Sequence, residues 1–377
     1  MAVLKNMRTL ALASVPLLLG TGAVAQTSPS SVQLYGVLDV ALTYVNNVGP
    51  TGHSLTRMSS VTGGYMPSRL GVRGSEDLGG GLSTVFNLEQ GIALTTGALQ
   101  QGGRGFGRLA YVGLSSKEWG TVTFGRQWSM LFFSLLGSDV MGPAVMGFGS
   151  LDHYLGNARI DNGVGYQGKF NNFTLGATYS FGRDTLNIPG HPAATGCPGK
   201  IEGDSKSCRA WSLLGKYDSP AWGVAVAADQ IYGGAGAQNG LNSSSLKDTR
   251  ITLNGYYKMG AIKVAGGVVN RDNDGNQIQP KSNLYFLGVS YPFTPQWVVD
   301  AQVGHLQYKN SPTGDKATTA IARVGYHLSK RTTLFALVGH TKNSGLLNIS
   351  VDAGSAGGLP MPGKGQTSFA TGIRHAF

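Results

Sequence analysis

Polar and hydrophobic residues alternate along most of the chain with a period of two, which is typical of extended strands. The segment from Gln366 to Phe377 shows the pattern clearly, because Phe369, Ile373 and Phe377 share one face and Arg374 lies on the other. Aromatic residues at both ends of an outward face suit a strand that crosses a membrane. We therefore expect this segment to be a terminal strand that closes a barrel.

Sixteen segments have the alternation and the length of strands. They cover residues 32–44, 69–75, 83–94, 106–114, 121–128, 162–169, 173–181, 209–217, 224–231, 249–257, 262–270, 283–293, 297–308, 317–328, 332–340 and 366–377. A tilted strand that crosses a bilayer needs about 9–11 residues. Bacterial single-chain barrels have an even number of strands. The pattern predicts an all-β fold, a transmembrane antiparallel β-barrel of sixteen strands.

The connections between these strands alternate in length. Short turns, such as those at 78–81, 171–172 and 294–296, alternate with long polar segments. The long segments are 45–66, 95–105, 129–158, 182–208, 232–247 and 344–365. Barrels of this class have short periplasmic turns and longer extracellular loops. A soluble β-sandwich is the alternative, and it is not expected to show this rhythm.

The first 25 residues predict a signal peptide. Lys5 and Arg8 precede the apolar stretch 10–20, and Ala23-Val-Ala25 has the form of a cleavage site. We expect export from the cytoplasm and a mature barrel of residues 26–377. Elsewhere no apolar stretch approaches the roughly 20 residues that a spanning helix needs.

The charge of the chain is positive but dispersed. Its 30 basic and 19 acidic residues give a formal charge of +11, and removal of Lys5 and Arg8 leaves 28 basic residues and +9. The basic residues fall singly on alternating strands and form no cluster, so we expect no binding of nucleic acid.

The sequence contains no convincing motif for enzymatic chemistry. The stretch 163–168 matches G-x-G-x-x-G, but it lies within a strand and no helix follows it. The sequence has no H-x-x-x-H pair, no G-x-S-x-G motif and no Walker loop. We expect no active site, no metal and no cofactor.

The two cysteines lie in a segment predicted to be extracellular. Cys197 and Cys208 are the only cysteines of the chain, and exported proteins favour disulfides. Metal binding would need further ligands, and only His191 is near them in sequence. A disulfide that pins the loop is the prediction.

Charged residues on the predicted strands share faces with polar or small residues. The basic ones are Arg73, Arg108, Lys169, Lys216, Arg250, Lys263, Arg271, Arg323 and Arg374, and the acidic ones on the same face are Asp39, Glu89 and Asp300. A cation facing lipid would cost about 2–4 kcal/mol at the bilayer midplane, so these side chains are predicted to face the lumen. A positive lumen lowers the barrier for anions.

Several motifs resemble those of the general-diffusion porins of Gram-negative bacteria, and most closely the anion-selective branch. They are Leu34-Tyr-Gly36, Ser68-Arg-Leu-Gly71, residues 74–81, Leu88-Glu-Gln-Gly91, Phe106-Gly-Arg108, residues 110–114 and residues 120–127. The resemblance covers residues 31–377. It implies a homotrimer in the outer membrane, surrounded by lipid and lipopolysaccharide, which passes small hydrophilic solutes and anions by diffusion. It also implies that the third long loop, residues 129–158, folds inward and narrows the pore.

In this family a ladder of arginines faces acids on the third loop. By motif, Arg69, Arg126 and Arg159 match ladder positions, Arg108 is an addition, and Asp139 is the acid on the loop. Strict alternation would place Arg126 on the lipid face, so either Gly125 marks a bulge or the strand ends before it.

The third loop itself departs from the family. It has only two acids, Asp139 and Asp152, and it is rich in phenylalanine, leucine and methionine. Such a loop either packs against the barrel wall or leaves a hydrophobic constriction. We expect packing against the wall, and the scarcity of acids favours anion preference.

Other functions remain as alternatives. A channel specific for one solute is the nearest, although few aromatic residues can be assigned to the inner face. An outer-membrane enzyme would need a nucleophile beside His305 or His375, and none is evident in the sequence. An adhesin barrel would need only its loops.

Overall fold

The computed structural model describes residues 30–59, 64–152, 157–183, 196–277, 280–352 and 358–377. The predicted signal peptide, residues 1–25, and His191 lie outside these residues. Among the residues described, no helix is long and apolar enough to cross a membrane.

Strands make up almost all the regular structure. They are β1 (Ser31–Val48), β2 (His53–Ser59), β3 (Arg69–Gly79), β4 (Leu82–Gly91), β5 (Leu109–Ser116), β6 (Gly120–Trp128), β7 (Arg159–Ile160), β8 (Gly163–Phe170), β9 (Phe173–Ser180), β10 (Ala210–Asp218), β11 (Trp222–Tyr232), β12 (Lys247–Met259), β13 (Ile262–Asn273), β14 (Lys281–Pro292), β15 (Trp297–Tyr308), β16 (Lys316–His327), β17 (Thr332–Ser344) and β18 (Gln366–Ala376). The third loop carries a short helix, α1 (Met130–Leu135), and one turn of 3-10 helix at Phe148–Ser150.

The sheet closes on itself because β1 pairs with β18, from Val37 opposite Ala376 to Val45 opposite Ser368. All strand pairs are antiparallel. β2 and β3 both pair with β1, one at each end of it. β7 and β8 both pair with β6. Each of these two pairs forms one strand of the wall, so the eighteen hydrogen-bonded segments found in the described ranges make a barrel of sixteen strands. The predicted fold class is confirmed.

The predicted strands agree with the observed ones within a few residues, with one exception. The segment 45–66 was predicted as a loop, but it contains β2, which pairs with residues Ala41 to Val48 of β1. That part of the prediction is wrong. Both faces of β2 carry polar residues, so the alternation that marks the other strands is weak there.

The two faces of the wall differ as a membrane barrel requires. On β12, Ile251 and Leu253 are 51% and 53% exposed, whereas Thr252 and Asn254 are almost fully buried inside. Aromatic side chains gather where the short turns lie. They include Tyr217 and Trp222, Tyr291, Phe293 and Trp297, and Tyr326, in pairs with ring centroids 4.6 to 6.4 Å apart. They form the aromatic girdle expected at a membrane interface.

The end of the chain lies in the same zone. Phe369, Ile373 and Phe377 are 54%, 42% and 40% exposed on the outer face of β18. Backbone hydrogen bonds join Gly36 and Phe377 in both directions, at 3.0 and 3.1 Å. The Phe377 ring covers Gly36 so closely that a Cβ atom there would lie 2.4 Å from it. Glycine at position 36 therefore leaves room for the terminal ring.

Candidate functional site

The third loop folds into the barrel and lies along its inner wall. It leaves the wall after Trp128 and returns at Arg159. Its first turn is capped by Ser129, whose hydroxyl accepts a hydrogen bond from the Phe132 amide at 3.3 Å. This cap begins α1 directly after the strand, and α1 carries the loop onto β10 and β11.

Apolar side chains hold both limbs of the loop to the wall. Met130 of α1 packs with Leu214, Ala225 and Ala227. A second group joins α1 and the 3-10 turn to the wall and includes Leu131, Phe132, Leu135, Phe148, Leu151, Val269, Leu284, Phe286 and Leu306. A third group contains Val140, Met141, Val145 and Met146 of the loop and Ile321, Phe335 and Leu337 of the wall. Each fully buried apolar side chain contributes about 1.5–3 kcal/mol relative to exposure. The expected packing of the loop against the wall is confirmed for its described residues.

Arg323 is the main polar anchor of the loop. Its guanidinium is 2.7 Å from the Asp300 carboxylate on the neighbouring strand. It also donates hydrogen bonds to the carbonyls of Met141 and Val140, at 2.9 and 3.3 Å. The centroid of the Tyr65 ring lies 3.6 Å from it. Arg323 thus joins the loop, the wall and the segment before β3.

The two acids of the loop contact the wall strands that the loop covers. Asp139 is 6% exposed and accepts a hydrogen bond from the Gln302 amide at 2.9 Å. Asp152 is 3% exposed and pairs with Arg250 at 3.0 Å. Neither of these contacts is with the arginines assigned to the ladder. The family resemblance predicted that Asp139 faces those arginines. In the structure its carboxylate accepts a hydrogen bond from Gln302 of β15.

The arginines assigned to the ladder lie on β3 to β7. Glu89 of β4 is shared by Arg108, at 2.7 Å, and Arg69, at 3.3 Å. Tyr35 donates a hydrogen bond to the same carboxylate at 2.9 Å. One acid therefore holds two arginines side by side.

The other two ladder arginines follow on the next strand pair. Arg126 lies 3.3 Å from the Asp161 carboxylate. Arg159 stacks on the ring of Trp128, 4.1 Å from its centroid, and Phe132 of α1 also stacks on that ring, with centroids 4.4 Å apart. Within the described part of the chain, Arg159 forms no ion pair. We call Arg69, Arg108, Arg126 and Arg159, with Glu89 and Asp161, the arginine cluster. Four cations and two acids give it a formal charge of +2.

Arg126 is buried although strict alternation places it outside. Gly125 has φ of +123°, a conformation that other residues rarely adopt, and a Cβ atom there would lie 2.2 Å from the carbonyl oxygen of Ala110. Beyond it, Arg126 donates to the Gly107 carbonyl at 2.7 Å and is 6% exposed, whereas Phe124 is 52% exposed. The β5–β6 register does not shift, so the turn of the backbone at Gly125 brings Arg126 inward.

The remaining predicted lumen charges fall into two groups. The buried ones are structural anchors. Arg250 and Arg271 share Asp248 at 3.0 and 2.9 Å. Asp39 accepts hydrogen bonds from the backbone amides of residues 64, 65 and 66, at 2.9 to 3.1 Å. Arg374, opposite Asp39 in the β1–β18 register, faces the Tyr65 ring at 5.9 Å.

The second group is more open to the lumen. Arg73 lies over Tyr35 at 5.0 Å and donates to Gln33. Three lysines lie nearer the short turns. Lys169 is exposed, Lys216 pairs with Asp218 at 2.9 Å, and Lys263 lies 5.1 Å from the centre of the Tyr256 ring.

Sequence reasoning missed Trp128, Asp161, Tyr65 and Gln302. Asp161 could have been found, because it follows Arg159 by two residues and therefore shares its face. The other three act through contacts between distant segments, for which the sequence carries no local signal.

The loop after β9 contains the cysteine pair. Cys197 and Cys208 form a disulfide with their Cα atoms 5.7 Å apart, and both are buried. The Arg183 amide donates to the Cys208 carbonyl at 2.8 Å, which ties the disulfide to the rim of the barrel. Burial of the Arg183 guanidinium lowers the pKa of this side chain to about 10.

Comparison with known proteins gives consistent matches. A family model described as Gram-negative porin matches residues 9–346. An outer membrane porin protein of Bordetella pertussis is 30% identical over 405 aligned residues, which cover 97% of this chain and 99% of that protein. Outer membrane porin protein 32 of Delftia acidovorans is 30% identical over 373 aligned residues, which cover 94% of this chain and 96% of that protein.

Solved structures agree in fold. An anion-selective porin from Comamonas acidovorans has a TM-score of 0.75 and 28% sequence identity, with 93% of this chain and 100% of that chain covered. An outer membrane protein of Vibrio cholerae in a trimer form has a TM-score of 0.62 at 16% identity, with 93% and 100% covered, and this likeness concerns the fold alone.

Proposed function

The chain belongs to the Gram-negative porin family, and on this premise we propose that the arginine cluster makes its channel prefer anions. The protein is an outer-membrane porin, through which small hydrophilic solutes and ions diffuse passively. The cluster is the filter in this proposal, and Arg73 adds a further positive charge beside it.

One observation carries the proposal: three of the four arginines pair with two acids, Arg159 forms no ion pair among the described residues, and the acids of the third loop contact other strands. Asp139 and Asp152 bind Gln302 and Arg250, so the cluster keeps a formal charge of +2. Low-dielectric walls focus such a charge into the lumen, which favours anions and disfavours cations. The 28% identical relative of known structure is itself an anion-selective porin, which supports the same conclusion.

Reversal potentials in a KCl gradient test the proposal. The wild-type protein should pass chloride more readily than potassium. The double variant Arg69→Gln, Arg126→Gln brings the formal charge of the cluster from +2 to zero and should remove most of this preference. Raising the salt from 0.1 to 1 M should weaken it, because the Debye length falls from about 10 Å to about 3 Å.

The matched control is Lys330→Gln, which removes an exposed charge in the short turn between β16 and β17. Its reversal potential should equal that of the wild type. A cation-selective wild type, or a double variant with unchanged potential, would show that these arginines are not the filter.

Three further properties belong to the proposal. We propose a homotrimer, as in the trimer form of the Vibrio cholerae relative, and light scattering of the detergent-solubilised protein would measure it. We propose lipid and lipopolysaccharide as the surroundings of the outer face. We also propose that residues 1–25 are removed on export, and N-terminal sequencing of the mature protein should then begin near Gln26.

A further inference from the structure

A cavity of about 540 Å³ lies inside the barrel near the short turns, between α1 and the wall formed by β5, β6 and β8 to β10. Its volume is within the range of small-molecule sites, about 300–1,000 Å³. It is separate from the arginine cluster. Thr121 lines the cavity and Arg126 belongs to the cluster, and these two residues are five positions apart on β6, which is about 16 Å along a strand.

The cavity is positively charged. Lys117, Lys169 and Lys216 line it, and among the described residues its one acid is Asp218, 2.9 Å from the ammonium of Lys216. Three cations and one acid give a formal charge of +2. Among the residues that the structure describes, Lys117 and Lys169 form no ion pair. Their ammonium groups are therefore available to an anion.

Neutral hydrogen-bonding groups surround these lysines. The hydroxyls of Ser115 and Thr121 lie 2.8 Å from each other, and Thr174 and the Gln167 amide complete the polar wall. A carboxylate accepts hydrogen bonds from ammonium, hydroxyl and amide donors alike. The polar side of the cavity therefore fits a carboxylate.

The opposite side of the cavity is aromatic. Phe133 of α1 is half-buried, and it packs against the apolar group of Met130, Leu214, Ala225 and Ala227. This packing fixes the ring while part of it faces the cavity. An inorganic anion would leave that apolar surface wet, whereas a ligand with its own apolar group would cover it.

We infer that this cavity is a second binding site, on the short-turn side of the arginine cluster, for small organic anions in which a carboxylate is joined to an apolar group. The carboxylate lies among Lys169, Lys216 and the hydroxyls, and the apolar group lies on Phe133. The inference rests on the proposed channel function, because the ligand reaches the cavity through the lumen. An anion that has passed the arginines meets this site before it leaves the barrel.

Benzoate block of the KCl current through single channels in planar bilayers tests the inference. Benzoate should reduce the current in a saturable manner, and acetate should need a concentration at least fivefold higher for half of the effect. Benzyl alcohol, which has the ring without the charge, should have no effect at the same concentration. Equal potency of benzoate and acetate, or block by benzyl alcohol, would overturn the inference.

Lys169→Gln removes an unpaired charge without leaving a buried acid behind. It should raise the half-blocking concentration of benzoate about fivefold, the value of one charge at about 4 Å in water. Lys316→Gln is the control, since this lysine is exposed on the outer face of β16, and it should leave the block unchanged. Phe133→Leu keeps an apolar side chain against Met130 but presents a smaller apolar surface to the cavity, so it should reduce the advantage of benzoate over acetate.

Reversal potentials of the same channels separate the two proposals. Chloride preference without benzoate block, or with block that Lys169→Gln leaves unchanged, would refute the second site alone. A wild-type channel with no chloride preference would refute the arginine filter, whether or not benzoate blocks the current.

Discussion

Among the described residues, Arg159 is the arginine of the cluster that forms no ion pair, so its neutralisation is the sharpest single test of the filter. Arg159→Gln lowers the formal charge of the cluster from +2 to +1. An ion 8 Å away interacts with one unit charge by about 0.5 kcal/mol in water, and at 4 Å by about 1 kcal/mol. The change acts with opposite sign on an anion and a cation, which doubles its effect on their ratio. The chloride-to-potassium permeability ratio should therefore fall by a factor of about 6 to about 30 at low salt.

The assay is the reversal potential in a tenfold KCl gradient with the dilute side at about 10 mM, where the Debye length of about 30 Å leaves the charge poorly screened. Arg159→Lys should keep the preference, because it keeps the charge and loses mainly the planar stack on Trp128. Arg331→Gln, in an exposed short turn, should behave as the wild type. An unchanged ratio in Arg159→Gln would refute the assignment of Arg159 to the filter. Equal losses in Arg159→Gln and Arg159→Lys would indicate that shape matters and charge does not.

Three other changes test the structure around the lumen. Arg323→Met removes the donor to the loop carbonyls and leaves Asp300 buried and unpaired, a loss of about 3–5 kcal/mol, so current noise and chymotrypsin cleavage within residues 129–158 should increase. Mass analysis without reductant should find Cys197 bonded to Cys208, and replacing both by serine should speed proteolysis of residues 182–208 while the barrel stays folded. Gly36→Val forces the Phe377 ring to move and should lower the temperature at which the barrel unfolds in detergent.

Each of these changes has a matched control. Gly215→Val introduces the same side chain where no atom lies within 4 Å of a new Cβ, so a similar loss of thermal stability would show that the Phe377 contact is not the cause. Lys309→Met removes an exposed cation and should leave current noise unchanged. Two free thiols in the mature protein would contradict the disulfide, and loss of the folded barrel without it would contradict a role limited to the loop.

The barrel could be predicted from the sequence because the residues of each wall strand alternate between those that suit lipid and those that suit the lumen. A strand such as β12 alternates Ile251 and Leu253 with Thr252 and Asn254, and a wall between lipid and water requires that pattern of each of its strands. β2 escaped prediction because both of its faces carry polar residues, so the alternation that marks the other strands is weak there. Its position is set by pairing with β1, a contact that its own residues do not specify.

The candidate site was predictable only in part. Single arginines could be assigned to the lumen because the cost of facing lipid excludes the other face. The pairing of these arginines with particular acids could not be assigned, because Glu89 and Asp161 are distant in sequence from Arg69 and Arg126 or lie on another strand. Asp139 illustrates the limit: its sequence position places it on the third loop, but the direction of its carboxylate depends on Gln302, which is 163 residues away.

The apolar character of the third loop and the charge of the arginine cluster are linked through the opposite wall. Leu284, Phe286 and Leu306 face inward, where they would contact water in an open lumen, and Phe148 of the loop stacks on Phe286 with centroids 4.1 Å apart. A loop of charged residues could not cover that wall without burying unpaired charges. The apolar loop covers it, and the two acids that the loop retains bind polar groups of the same wall. Apolar burial therefore positions the loop, and the arginines across the lumen keep a charge that its acids do not neutralise.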